Sequence, residues 1–291
     1  MMKSIFSLLL LMAVYNCHSQ TAPALFYPGL ITNGGEFGLT ISPDAKTALW
    51  VNSNGKRDSL RIMESRKIND KWTKSVVASF SDPTGKWKDI DPMFSPDGKL
   101  LLFQSDRLKL TDTSRTDFDI YAVPVLPGGW GEPYNLGNEI NSAQSESYAS
   151  MTSSGHIYFM KENSDRVGKS DIYKSAFENG KYQQPVNIGL PVNTHERESN
   201  PFISPDEQYL VYFSTDSSGF GQVDLYISTK KDGKWQTPVN LGKPINSEAA
   251  EFCPFYQEAE KRLYFSRQVK QADRMKEDLY WVEFDLYRYI K

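Results

Sequence analysis

The chain has 291 residues, 13% aromatic, 24% charged and 39% hydrophobic, with a formal net charge of −3. That is the composition of an ordinary globular protein, and without clustered basic residues it argues against a nucleic-acid or anionic-membrane partner. Length alone allows two domains, but regular all-β folds run to this size as one unit, and one domain over residues 20–291 is expected.

In chain order, Lys3 precedes the apolar run Ile5 to Val14. The run is too short to span a bilayer and is followed by small and polar residues, as in a secretory leader. Residues 1–19 are read as that signal peptide, with Cys17 at −3 and Ser19 at −1 of the cleavage and Gln20 first in the mature chain. Lipid attachment at Cys17 is the rival processing; bulky Tyr15 and Asn16 stand where a lipobox has small residues. An exported protein follows, periplasmic, outer-membrane associated or secreted. Ordinary cleavage leaves Cys253 as the sole cysteine, so packing must hold the fold without an intrachain disulfide.

The rest of the chain lays down one unit five times. A period of about 50 residues marks a propeller or solenoid. Turns at Ser42-Pro43-Asp44-Ala45, Ser95-Pro96-Asp97-Gly98 and Ser204-Pro205-Asp206-Glu207 put proline where its fixed φ suits a tight turn. Thr152 to Gly155 is a degenerate copy and Gln257 to Glu260 a divergent one. After each turn comes an aromatic and β-branched strand: Thr47 to Val51, Leu100 to Gln104, His156 to Met160, Tyr209 to Ser214, Arg262 to Ser266. A third strand is expected to begin at Asp58, Asp119, Asp171, Asp224 and Asp278, these aspartates closing turns. Fourth segments run Trp130 to Gly137, Tyr182 to Gly189 and Trp235 to Gly242, with a looser version from Trp72 to Phe80. Their prolines cannot donate to a ladder and so belong at an edge.

The fifth unit has no fourth segment, and one is left over at Leu25-Phe26-Tyr27-Pro28. An N-terminal strand that completes the last blade closes the ring and removes exposed edges. The sequence therefore predicts an all-β, five-bladed propeller with four antiparallel strands per blade. The blades are expected at about 36–80, 89–137, 146–189, 198–242 and 251–291, the last joined by 25–31.

The turn Ser95 to Lys99 with Leu101-Leu102-Phe103 and Asp119-Ile120-Tyr121 resembles the WD-like Pro-Asp propeller repeat of the TolB type. The Asn-Leu-Gly…Ile-Asn ending is similar to a branch common in exported envelope proteins. The resemblance implies the fold and a monomeric, partner-binding envelope protein. It says little of activity, because one fold hosts many functions.

Aligned first strands each begin with an acid: Glu36, Asp89, Glu146, Glu198 and Glu251. In a propeller these strands line the central channel, so the five are expected to ring one mouth, with Arg107, Arg267 and His195 beside them. Converging carboxylates raise one another's pKa unless cations or donors sit among them. Calcium at Glu146, Glu198 and Glu251 is one such cation. In the plainer alternative each acid accepts backbone hydrogen bonds or pairs with Arg107, Lys161 or Arg267 to hold blades together. Trp130 and Trp235, at equivalent positions, are expected to pack between blades, while Trp87 and Trp281 break the repeat.

No nucleophile elbow, zinc-protease motif, cysteine pair or phosphate-binding glycine loop is present. The expectation is a non-catalytic binder of an envelope protein, peptide or glycan, with no cofactor unless calcium. The alternative is a glycosidase using two channel carboxylates. Its difficulty is symmetry: general acid and base need different surroundings, and five equivalent acids do not provide them.

Overall fold

In the computed structural model, residues 21–53, 55–107, 117–162 and 168–290 are described. The leader and Cys17 lie outside the described residues. No helix among those residues is long and apolar enough to cross a membrane.

Five antiparallel sheets form the blades of a ring. Inner strands are Glu36–Ile41, Asp89–Phe94, Glu146–Met151, Glu198–Ile203 and Ala250–Gln257. Each pairs with a second strand: Thr47–Asn52, Leu100–Ser105, Ile157–Lys161, Tyr209–Ser214 and Arg262–Lys270. Third strands follow at Arg61–Ile68, Asp119–Leu126, Asp171–Ser175, Asp224–Lys231 and Met275–Glu283. Outer pieces are two residues long: Val76–Val77, Tyr134–Asn135, Val186–Asn187 and Val239–Asn240. The last three follow directly on Pro133, Pro185 and Pro238, so the edge is short where proline denies it a donor.

The fifth blade is completed from the other end of the chain. Ala24 pairs with Trp281 and Leu25 with Tyr280 in an antiparallel ladder, and Phe26 N–H donates to Leu279 O at 2.9 Å. Phe26 is buried against Trp72 of blade one and Tyr264 of blade five, at centroid distances of 6.2 and 5.6 Å. The closing segment thus ties both sides of the seam.

Between blades the core is apolar. Leu49, Ile62 and Phe80 of blade one meet Phe94, Leu101, Phe103 and Tyr121 of blade two. Trp130 meets Phe80 edge-on and donates its indole N–H to Glu64 at 2.6 Å, while Trp235 reaches Tyr158 of the preceding blade. The Pro-Asp turns close through side chains: Ser42, Ser95 and Ser204 hydroxyls donate to Asp44, Asp97 and Asp206 at 2.6, 2.8 and 2.7 Å.

Three local expectations need correction. Asp58 lies in the turn before its strand, which starts at Arg61, and Asp278 sits inside a strand that starts at Met275. In blade five the inner strand runs through Gln257, so the turn falls one residue later, with Lys261 N–H donating to Glu258 O.

Candidate functional site

The five aligned acids do not converge on the channel. Each is buried and takes donors from the connector just before its own strand. Glu36 accepts from Asn33 and Gly35 N–H and from Asn52. Asp89 accepts from Ser81, Asp82 N–H and Arg107, the last at 3.0 Å. Glu146 takes the Ser142 hydroxyl and N–H, with Lys161 at 3.4 Å. Glu198 takes Thr194 twice and Ser214. Glu251 takes Ser247 twice and Arg267 at 2.6 Å. Burial pushes the Glu36, Glu146 and Glu198 carboxyls up from their ordinary values, against the donors that favour the charged form.

These acids belong to a repeated polar bracket. Asp119, Asp171 and Asp224 accept from Asn135, Asn187 and Asn240 at 2.8, 2.6 and 2.8 Å. Asn141, Asn193 and Asn246, six residues further on, accept from the backbone N–H and donate to the C=O of Ile120, Ile172 and Leu225. The bracket pins each connector to the blade it leaves. His195 stands exposed in one such connector. Among the described residues no group of three or more His, Cys, Asp or Glu is placed to hold a metal ion, and Glu146, Glu198 and Glu251 each stay with their own blade.

The channel is lined two residues further along. Every inner strand carries a bulge just after the residue that follows its acid. The residue there, Gly38, Asp91, Tyr148, Asn200 or Cys253, has φ between 49° and 66°. A bulge turns one side chain out of the alternation. The repeats agree on the acid and disagree completely at this position, so here the symmetry of the ring is broken.

Asp91, Asn200 and Cys253 line a cavity of about 280 Å³ with Arg57, Gln104, Arg197, Phe37, Phe213 and Phe252. Tyr148 is fully buried, its hydroxyl donating to Pro254 O at 2.9 Å. Gly38 gives the acid room, since a Cβ there would lie 3.2 Å from Asp91 Oδ1. Gln104 donates to Asp91 Oδ2, and the Cys253 thiol sits 3.6 Å from Asp91 Oδ1 and from Asn200 Oδ1. Arg57 lies over the Phe37 ring at 4.5 Å and donates through Nε to Glu277 at 2.9 Å. Glu277 also accepts from Ser53 at 2.6 Å and Gln268 at 2.7 Å.

Asp91 is the unusual acid. Burial raises its carboxyl to about 7, and Glu277 adds to the rise; the Arg57 charge and the Cys253 contact pull the other way without cancelling it. A carboxyl of that kind is about half protonated at neutral pH and can deliver its proton. The opening at the opposite, turn-side mouth is larger, about 400 Å³, but its walls are apolar, including Ile41, Met93, Phe202 and Phe255, and its one carboxylate, Glu258, is exposed.

Sequence reasoning missed Asp91, Gln104, Asn200, Cys253 and Arg57 because it looked for the column in which the repeats agree. The signal was the column two residues later, where they do not.

No protein-family profile and no curated protein matches the sequence. Solved structures do match in fold. A GH43_12 protein retrieved from a capybara gut metagenome aligns at TM-score 0.57 and 13% identity, over 86% of this chain and 51% of its own. A thermostable family-43 glycoside hydrolase aligns at 0.54 and 11%, over 85% and 89%. An α-L-arabinofuranosidase from Lactobacillus brevis aligns at 0.51 and 14%, over 87% and 91%. Other matched chains are much longer, and this chain spans 34% and 37% of two of them. At these identities the likeness shows a shared five-bladed propeller. The three propellers aligned at TM-scores of 0.51 to 0.57 carry glycoside hydrolase names, which stands against the expectation of a non-catalytic binding protein and on the side of its alternative; at 11–14% identity the likeness itself is one of fold.

Proposed function

We propose that the protein is a glycoside hydrolase of the propeller type, exported by its leader, with Asp91 as the general acid. The observation that carries the reading is the position of Asp91: a buried carboxyl, about half protonated at neutral pH, on the wall of the central cavity, at a strand position that each of the five blades fills with a different residue. This meets the objection from symmetry, because the equivalent acids are brackets and the proton donor is unique. Glycosidic cleavage needs a second carboxylate. Glu277 is the carboxylate whose charge Asp91 feels; it is 0% exposed, lies outside the cavity lining and is held by Arg57, Ser53 and Gln268, so it tunes Asp91 rather than touching the sugar. Asn200 and Gln104 supply polar contacts for sugar hydroxyls, and Phe37, Phe213 and Phe252 the apolar walls on which ring faces rest.

The test uses aryl glycosides of neutral and acidic sugars. Wild type should release the aglycone from at least one, with kcat/KM falling as pH rises through about 7, because the protonated form of Asp91 is the active one. The groups facing it, Arg57, Glu277, Cys253 and Tyr148, shift that midpoint but not its direction. Asp91→Asn should lower kcat by about 10²- to 10⁴-fold. The same change should stabilise the fold at pH 8. A carboxyl raised above its unfolded value binds more protons when folded, so stability falls between about pH 4 and 7; an amide removes that loss of a few kcal/mol. Absence of turnover on the whole panel, or full activity in Asp91→Asn, would defeat the reading.

A further inference from the structure

We infer that the sugar this cavity takes carries a carboxylate, a uronic acid or similar acidic ring, with Arg197 reading the charge and Gln104 reading a hydroxyl. The inference rests on the hydrolase reading for the class of molecule, and adds which member of the class.

Two groups on the cavity wall are left without partners. Gln104 is 4% exposed and its amide N–H goes to Asp91, but its carbonyl Oε1 is buried with no donor. An unmet buried acceptor costs about 1–3 kcal/mol, and a ligand hydroxyl inside the cavity would satisfy it. Arg197 is the second. Its backbone is fixed, the N–H donating to Thr215 Oγ1 at 3.1 Å and the C=O accepting from Thr215 N–H at 3.2 Å. Arg197 is an exposed residue of the cavity lining, and its guanidinium has no hydrogen-bond or ion-pair partner among the described residues.

The charges around the cavity make this cation decisive. Arg57 is already engaged by Glu277, so it presents little free charge. Arg107 and Arg267 are spent on Asp89 and Glu251. Arg197 remains as an uncompensated fork of donors, the geometry that receives a carboxylate through two parallel hydrogen bonds. A volume of about 280 Å³ falls just below the range of about 300 Å³ and upwards for drug-sized ligands, room for one ring. A single acidic ring would reach the donor at the rim and the acceptor within.

Binding is measured by calorimetry on the whole protein with methyl glycosides of glucuronic and galacturonic acid, against methyl glucoside, galactoside and arabinofuranoside, at low and high salt. At least one uronide should bind about 10- to 100-fold tighter than its neutral counterpart, the range expected of one charge-assisted contact, and salt should narrow the gap. Arg197→Ala should abolish the preference and Arg197→Lys restore part of it. Neutral sugars binding as tightly as uronides, or an intact preference in Arg197→Ala, would overturn the inference. Turnover of neutral aryl glycosides with no uronide preference refutes it while leaving the hydrolase reading standing; uronide binding without turnover of any glycoside does the reverse.

Discussion

Deleting Ala22 to Thr32 should leave a chain that aggregates or melts far below the intact protein. The deletion removes Phe26 and Ile31, 3% and 1% exposed, and strips the Tyr280–Trp281 edge of its partner strand. Loss of one buried phenylalanine costs about 3–5 kcal/mol, against a total stability of about 5–15 kcal/mol for a folded domain. An unpaired strand edge then offers a template for a second molecule. Phe26→Ala separates the two effects, because it opens the seam without baring the ladder. It should lower the melting temperature while the protein stays monomeric in sedimentation. A truncated chain that remains monomeric with an unchanged melting curve would show that the ring does not depend on this closure.

The fold was legible because its signals repeat. Proline in the Ser-Pro-Asp turns fixes φ, proline at 133, 185 and 238 marks the edge, and the surplus strand at the N-terminus matches the deficit at the end of the chain. Each is a local rule with a local cause. The slips came where a repeat is degenerate: Asp58 and Asp278 match the aspartate column, but only Asp119, Asp171 and Asp224 have an Asn partner sixteen residues on. The site was less legible for a related reason. Invariance across blades reports what every blade needs, here a carboxylate to staple the incoming connector. Asp91 does something only one blade needs, and its raised pKa comes from burial in the closed ring and from Glu277, which is far away in sequence and near only after the ring closes. The bulge that turns it inward leaves no composition signal either, since glycine, aspartate, tyrosine, asparagine and cysteine all occupy it.

Replacing Arg267 with Met should be among the most damaging single changes outside the seam, although the residue does not line the Asp91 cavity. Its Nε donates to Glu251 at 2.6 Å and its Nη2 to Ile245 O at 2.9 Å, while the guanidinium lies 4.7 Å from the Tyr280 ring centroid. Glu251 is 0% exposed, so methionine would leave a buried carboxylate held only by Ser247. Removing one partner of a buried pair costs about 3–5 kcal/mol, most of it the penalty for the stranded charge. The double change Glu251→Gln with Arg267→Met should therefore be milder than Arg267→Met alone, because no buried charge is left unmatched, and urea midpoints with a common m-value measure the difference. Glu198, which has hydroxyl and amide donors and no cation, supplies the contrast: Glu198→Gln strands nothing and should cost less than Arg267→Met. Equal losses in the three proteins would mean that the brackets stabilise through shape alone and that charge matters little; the ordering Arg267→Met worst, with the double change and Glu198→Gln milder, identifies the carboxylate staple as an electrostatic device.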